Sequence, residues 1–262
     1  MQVSPITDKA AIAGFLRRQA ALNAYPLGDL DARFWPDTRW YALKDADRIL
    51  EIALLYSGMD PPILIAIQNS SAAHMRRLLA EIVADLPKAV YVHLSADLIS
   101  ALEVRYAAHN HGPHHIMELV DKRTALDVDT VGTARLDPQD VDEMLRLYEL
   151  AYPGHWFRAH MLDYGPYFGW RNELGQLMSV SGVHVYSEEY SVATLGNVVT
   201  HPKMQGQGLG SLVNARLCQE LIPRIETIGL NVHADNRAAS RVYEKLGFRA
   251  IAIYEEMTLS ER

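Results

Sequence analysis

Leu195-Gly196-Asn197-Val198-Val199-Thr200-His201-Pro202-Lys203-Met204-Gln205-Gly206-Gln207-Gly208-Leu209-Gly210-Ser211 is the stretch on which the reading of this chain turns. A β-branched run stops at a proline. A glycine-rich turn follows and opens directly into an apolar-periodic helix. Such a junction makes a phosphate cradle. Glycines let the backbone approach an anion closely, and the free N–H groups of the helix's first turn point at it. The helix dipole adds a field that favours negative charge at the same place.

Spacing sorts the phosphate ligands. A mononucleotide loop needs a Lys after its last Gly and then a Ser or Thr for magnesium. Here Gly210 is followed by Ser211 and Leu212, so that lysine is missing. A dinucleotide fingerprint starting at Gly206 and Gly208 needs a third glycine at position 211, which is Ser211. The remaining pattern is Gln-x-x-Gly-x-Gly on Gln205, Gly208 and Gly210. It resembles the acyl-CoA pyrophosphate loop of the GNAT superfamily of N-acetyltransferases. Taken alone, it is also compatible with an ordinary glycine-rich turn capping a helix.

The downstream sequence adds a second motif. Thr227 to His233 reads as a strand, and Asp235 or Asn236 caps a following helix. On that helix Ala239, Val242, Tyr243 and Leu246 share one face. Gly247 ends it and Phe248 folds back over the end. The stretch resembles the GNAT signature Asn-x-x-Ala-x-x-x-Tyr-x-x-x-Gly-Phe. Two motifs in this order carry the resemblance over roughly residues 130 to 258, and it is densest from 195 to 248.

Composition sets the outer limits. The 262 residues suffice for one large or two medium domains. The formal charge is −7, with no basic tail, so a nucleic-acid partner is not expected. The single cysteine, Cys218, falls within a helical pattern and reads as a core thiol. The most apolar run, Ile63 to Ile67, is too short to span a bilayer, and no cationic-then-apolar leader precedes it. The expectation is a cytoplasmic enzyme with no membrane partner.

Periodicity predicts a helix over 8–24, strands over 40–43, 49–56 and 63–67, and a helix over 72–85. A strand over 89–94, a helix over 97–108 and a strand over 116–120 follow. The second half repeats that order: strand 131–136, helices 138–152 and 157–164, a hairpin of 177–186 and 192–200, then helix, strand, helix and a last strand, 249–257. The expected fold class is an α/β (α+β) GNAT fold, with a mixed, mostly antiparallel sheet flanked by helices and two GNAT-like copies in tandem. The copies would be a degenerate domain, 1–124, and a catalytic domain, 125–262, joined within 121–130. Where the second has its glycines, the first has Gln68-Asn69-Ser70-Ser71. Among two-copy GNAT proteins the layout is similar to the glycine N-acyltransferase-like group.

The resemblance implies acetyl-CoA as co-substrate, no metal, and acyl transfer to a small-molecule or peptide amine by direct attack in a ternary complex. Val198 and Val199 would offer amides to pantetheine and the thioester oxygen, with Thr200 next on the strand. Gln205, Gly206, Gln207, Gly208, Leu209, Gly210 and Ser211 would bind the pyrophosphate. Asn231 and Asn236 would reach the cofactor. Tyr243 would protonate the departing thiolate, since a phenol near pKa 10 stays protonated at pH 7. No carboxylate lies between Ser191 and Thr200, which departs from the many GNAT enzymes that carry a Glu before the loop. His184 is then a candidate base, set against a packing role. The aromatic stretches 152–157 and 164–170 could line an acceptor pocket or pack a helical layer. The histidines in 109–115 lack zinc-site spacing and read as a solvated loop. A catalytically silent coenzyme-binding sensor or assembly protein and an O-acyltransferase are the competing functions. A homodimer is compatible with all of them.

Overall fold

Apolar periodicity of 2 and of 3.6 alternates along the chain, and each change of period opens a new element. The computed structural model describes residues 1–262, gathered into two units. The N-terminal unit is Met1–Ile116 with His233–Asp235 and Ile251–Arg262. The C-terminal unit is Met117–Val232 with Asn236–Ala250. The chain thus changes unit inside three strands, at 116/117, 232/233 and 250/251, and again at 235/236; the sequence led us to expect one division at 124/125.

The N-terminal unit contains β1 (Gln2–Pro5), α1 (Lys9–Leu16), α2 (Ala24–Gly28), β2 (Thr38–Asp45), β3 (Arg48–Tyr56), β4 (Ile63–Ala66), α3 (Ala72–Ile82), β5 (Ala89–Leu94) and most of β6 (Tyr106–Leu119). The strand order is β1-β2-β3-β4-β5, followed by the last strand of the chain. All neighbours are antiparallel except β4 and β5, which α3 connects as a parallel pair. The buried face of α3, with Met75, Leu78, Leu79 and Ile82, packs into a core with Leu43, Leu64 and Val92. Full burial of such a side chain contributes roughly 1.5–3 kcal/mol. Ser71 caps α3 by accepting the His74 amide at 3.2 Å.

The C-terminal unit contains α4 (Lys122–Leu126), β7 (Thr133–Arg135), α5 (Val141–Ala151), β8 (Phe168–Arg171), β9 (Leu177–Ser187), β10 (Val192–Thr200), α6 (Leu209–Leu221), β11 (Thr227–His233), α7 (Arg237–Lys245) and the start of β12 (Phe248–Glu261). Its strands run β11-β10-β9-β8-β7. Again one pair is parallel, β10 with β11, and α6 joins it. The rest is antiparallel. Leu217 and Leu221 of α6 pack with Val180, Leu195, Leu230 and Phe168.

Three expectations need correction. Residues 97–108 form only a 3₁₀ turn, Ile99–Ala101, before β6 begins at Tyr106. The histidine segment 109–115 lies inside that strand and is not a loop. Asn110, Gly112 and Pro113 resemble loop residues, yet each is accommodated. The Asn110 side chain accepts the Gly112 amide, Gly112 bends with φ +98, and the Pro113 carbonyl accepts the Ala234 amide at 2.8 Å. The 157–164 helix shrinks to a 3₁₀ turn, Ala159–Asp163, confined between Pro153-Gly154 and Gly165-Pro166.

Candidate active site

The parallel ladder between β10 and β11 runs from Val192↔Thr227 to Leu195↔Leu230 and ends there. Beyond it, Gly196–Thr200 and Asn231–His233 leave the ladder with their peptide groups. Two irregularities in the β9–β10 pairing mark this end. Between Thr194 and Leu195 the extra residue is on β9 and is His184. Between Gly196 and Val199 the extra residue is on β10. There Asn197 takes φ +52, a left-handed conformation rare for a side-chain-bearing residue.

Buried hydroxyls hold that bulge. Tyr148 of α5 donates to the Asn197 carbonyl at 2.5 Å, and the Asn197 amide group donates to the Tyr167 oxygen at 2.9 Å. Tyr167 in turn donates to the Val183 carbonyl at 2.8 Å. Asn197 is 4% exposed, and its Oδ1 is buried without a hydrogen-bond partner. Ser179 donates to the Val199 carbonyl at 3.1 Å and meets the Thr200 hydroxyl at 2.9 Å. Side chains thus fix the strand conformation, with Asn197 and Val198 outside the β9 register and Val199 paired again with Val180.

The glycine loop follows. Gly206 and Gly208 have φ +78 and +84, which only glycine adopts without strain. Gly208 is the N-cap of α6, and no side chain caps the helix. The first-turn amides of Leu209, Gly210 and Ser211 therefore face outward with the dipole behind them. At Gly210 an added Cβ would meet only the Thr200 hydroxyl, at 3.6 Å. Packing within the chain does not demand a glycine at 210. Asn214 anchors the turn, donating to the Gly210 carbonyl at 2.7 Å and accepting from Ser181 at 2.7 Å.

Tyr243 is 7% exposed, edge-on to Phe248 with ring centroids 5.9 Å apart. Burial, aided by Tyr152 and Cys218, pushes its phenol well above 10, so it is protonated throughout the physiological range. Burial also pushes the Cys218 thiol up to about 12, which removes it as a nucleophile. Asn236 spends its side-chain oxygen on the α7 cap, accepting the Ala239 amide at 3.1 Å. The His184 ring lies against Gly196, where a Cβ would come within 2.0 Å of it.

Residues 184–257 match the family model described as FR47-like protein. The mycothiol acetyltransferase of Mycobacteroides abscessus is 31% identical over 157 residues, 53% of each chain. The [ribosomal protein bS18]-alanine N-acetyltransferase of Escherichia coli K12 is 44% identical over 62 residues, 23% of this chain and 42% of that one. The chain thus spans about half the length of the curated relatives it matches. A tandem GNAT protein from the clavulanic acid biosynthesis pathway superimposes with a TM-score of 0.58 at 16% identity, over 99% of this chain and 98% of that one. The fold is the GNAT fold. The curated relatives that match part of the chain are acetyltransferases.

The other helix junction after a parallel strand, Gln68 to Ser71 before α3, is filled from within. Glu51 of β3 is 0% exposed. Its carboxylate accepts the amides of Asn69 at 3.0 Å, Ser70 at 2.6 Å and Ser71 at 2.9 Å, and the Ser70 hydroxyl at 2.8 Å. A carboxylate of the chain itself thus takes the main-chain donors at this junction. Sequence reading noticed the missing glycines and missed Glu51, because an acidic residue inside an apolar strand gives no clue to its partner. It also missed Asn197, Tyr148 and Tyr167, which look like core and strand residues.

Of the aromatic stretches, Phe157 and Tyr167 are buried packing. Tyr164 lines a pocket of about 180 Å³ with Tyr186, Glu188 and Arg224. No group of three or more His, Cys, Asp or Glu side chains is placed to hold a metal ion. No helix is long and apolar enough to cross a membrane.

Proposed function

We propose that the C-terminal unit is an N-acyltransferase that moves an acetyl group from acetyl-CoA to a primary amine. The observation that carries this reading is the ladder that stops at Leu195↔Leu230 beside an uncapped glycine turn. The peptide groups of Val198, Val199 and Thr200, facing those of Asn231, would pair with pantetheine as an added strand does. The Val198 and Val199 amides would polarise the thioester carbonyl. The amides of Gln205 to Ser211 would bind the diphosphate, and the Nδ2 of Asn236 is available to the coenzyme. Attack would form the C–N bond and break the C–S bond; the nitrogen would lose its extra proton to solvent water, and Tyr243 would give the departing sulfur a proton. The N-terminal unit, with Glu51 in place of phosphate, would be a degenerate copy.

Calorimetry with acetyl-CoA and thiol release over a panel of amines test the reading. Binding that Gly208→Glu abolishes is expected. Tyr243→Phe should keep the coenzyme affinity and lower turnover by about 10²–10⁴-fold. Binding with no thiol release from any amine would indicate a silent sensor. Undiminished binding by Gly208→Glu would reduce the loop to a turn.

A further inference from the structure

A polar cluster is buried in the N-terminal unit, on strands the acyl-transfer reading leaves unused. Tyr91 and His93 come from β5, His114 from β6, Tyr254 and Glu256 from β12, and Tyr25 from α2. Glu256 is at the centre. The hydroxyls of Tyr91 and Tyr254 both donate to its carboxylate, the second at 2.5 Å. His93 Nε2 stands 3.6 Å from one carboxylate oxygen, and His114 Nε2 stands 3.7 Å from the other. No Lys or Arg pairs with Glu256.

The tautomer of His114 decides what these distances mean. Its Nδ1 faces the Gly112 carbonyl at 3.1 Å, so Nδ1 carries the hydrogen of the neutral ring and Nε2 holds a lone pair. That lone pair faces a carboxylate oxygen. Two acceptors confronting each other in a buried place call for a donor, and a buried carboxylate without a cation is costly. The neutral state is the stable one near pH 7. Burial lowers both imidazoles below their usual value, and the opposing pull of Glu256 does not undo it. For Glu256 burial is the largest influence and raises it, yet the two imidazoles and the two phenols outweigh burial and hold it below the usual carboxylate range.

Partial exposure gives a small cation access. The side chains of His93, His114 and Glu256 keep 13–15% exposure each, so all three meet solvent. Aromatic rings surround them. Tyr25 and Tyr254 lie 6.1 and 5.1 Å from the His93 ring, and Tyr254 lies 5.6 Å from His114. Electron-rich ring faces favour a positive charge. The cluster is not among groups of side chains placed to hold a metal ion.

We propose that this cluster receives a primary ammonium ion, with Glu256 binding the charged nitrogen and His114 Nε2 accepting a hydrogen bond from one of its N–H groups. The proton stays on nitrogen. Calling the amine an acyl acceptor rests on the function proposed above; the binding itself does not.

The test follows the histidine ring signals of the full chain by NMR, without coenzyme, while n-butylammonium is added at pH 7.5. Tetramethylammonium and n-butanol are the controls. Saturable shifts of His93 and His114 with n-butylammonium alone are expected. Glu256→Gln should weaken that binding at least about tenfold, as loss of a buried charged hydrogen bond does. In the wild-type chain, bound n-butylammonium should move the His114 titration to lower pH, whatever the fate of the variant. Binding should also weaken in acid, where protonation of His93 and His114 competes with the ammonium for Glu256. No saturable shift, an equal shift with tetramethylammonium, an unmoved His114 titration, or unchanged binding by Glu256→Gln would each overturn the proposal. Failure of acetyl-CoA to bind would overturn only the acyl-transfer reading.

Discussion

Gly210 separates what the chain needs from what a ligand needs. Its backbone has room for a methyl group, so Gly210→Ala should leave stability within about 1 kcal/mol of wild type. The same methyl would stand where a diphosphate approaches, and acetyl-CoA affinity should fall at least about tenfold; thermal melts and calorimetry on one sample read both. Gly208, at φ +84, should behave differently, because Ala there is strained before any ligand arrives. His184 makes the complementary case. Its ring fits over Gly196 at a bulge, a packing position. His184→Asn should therefore lower stability and leave the pH profile of amine acetylation in place. A profile that loses its acidic limb would make His184 the base instead.

At the scale of elements, the contrast between the two helix junctions was only half legible. The glycines of 205–211 and the β-branched run before them announce a strand, a turn and a helix, and the structure follows within a residue or two. What no local pattern announces is the partner of a buried group. Glu51 reads as an irregularity in β3 until the amides of Asn69, Ser70 and Ser71 arrive from a segment about twenty residues away. Tyr148 and Tyr167 likewise look like periodic core residues until Asn197 is seen between them. Only the end of strand β6 was legible, as the strand over 116–120; its start was read as the end of a helix and its histidines as a loop, because the backbone partner of Pro113 at Ala234 lies far away in sequence. The stability of α3's first turn should depend on Glu51. Glu51→Ala strands three amides in the interior and should cost about 2–5 kcal/mol in urea unfolding. Millimolar sulfate should recover part of that loss in the variant and nothing in wild type.

For the whole molecule, Asp29 sets a pH dependence. Burial raises its carboxyl from 3.8 to about 7. The folded state therefore holds its proton more tightly than the unfolded chain. Its stabilising contribution is complete below about pH 4 and is lost as pH climbs through 7. Asp29→Asn should match wild type in acid and exceed it at pH 8, by up to about 4 kcal/mol, in denaturant titrations at the two pH values. The path of the chain has a consequence for biosynthesis. Residues 251–262 count with the N-terminal unit, where Glu255 to Ser260 pair with Leu94 to Ala89 of β5. Domains usually mature in the order in which the ribosome makes them. Here the first-made unit must wait with β5 lacking its neighbour until the last-made strand emerges. A nascent chain stalled before residue 251 should then be open to protease in its early half, however long it is left to settle.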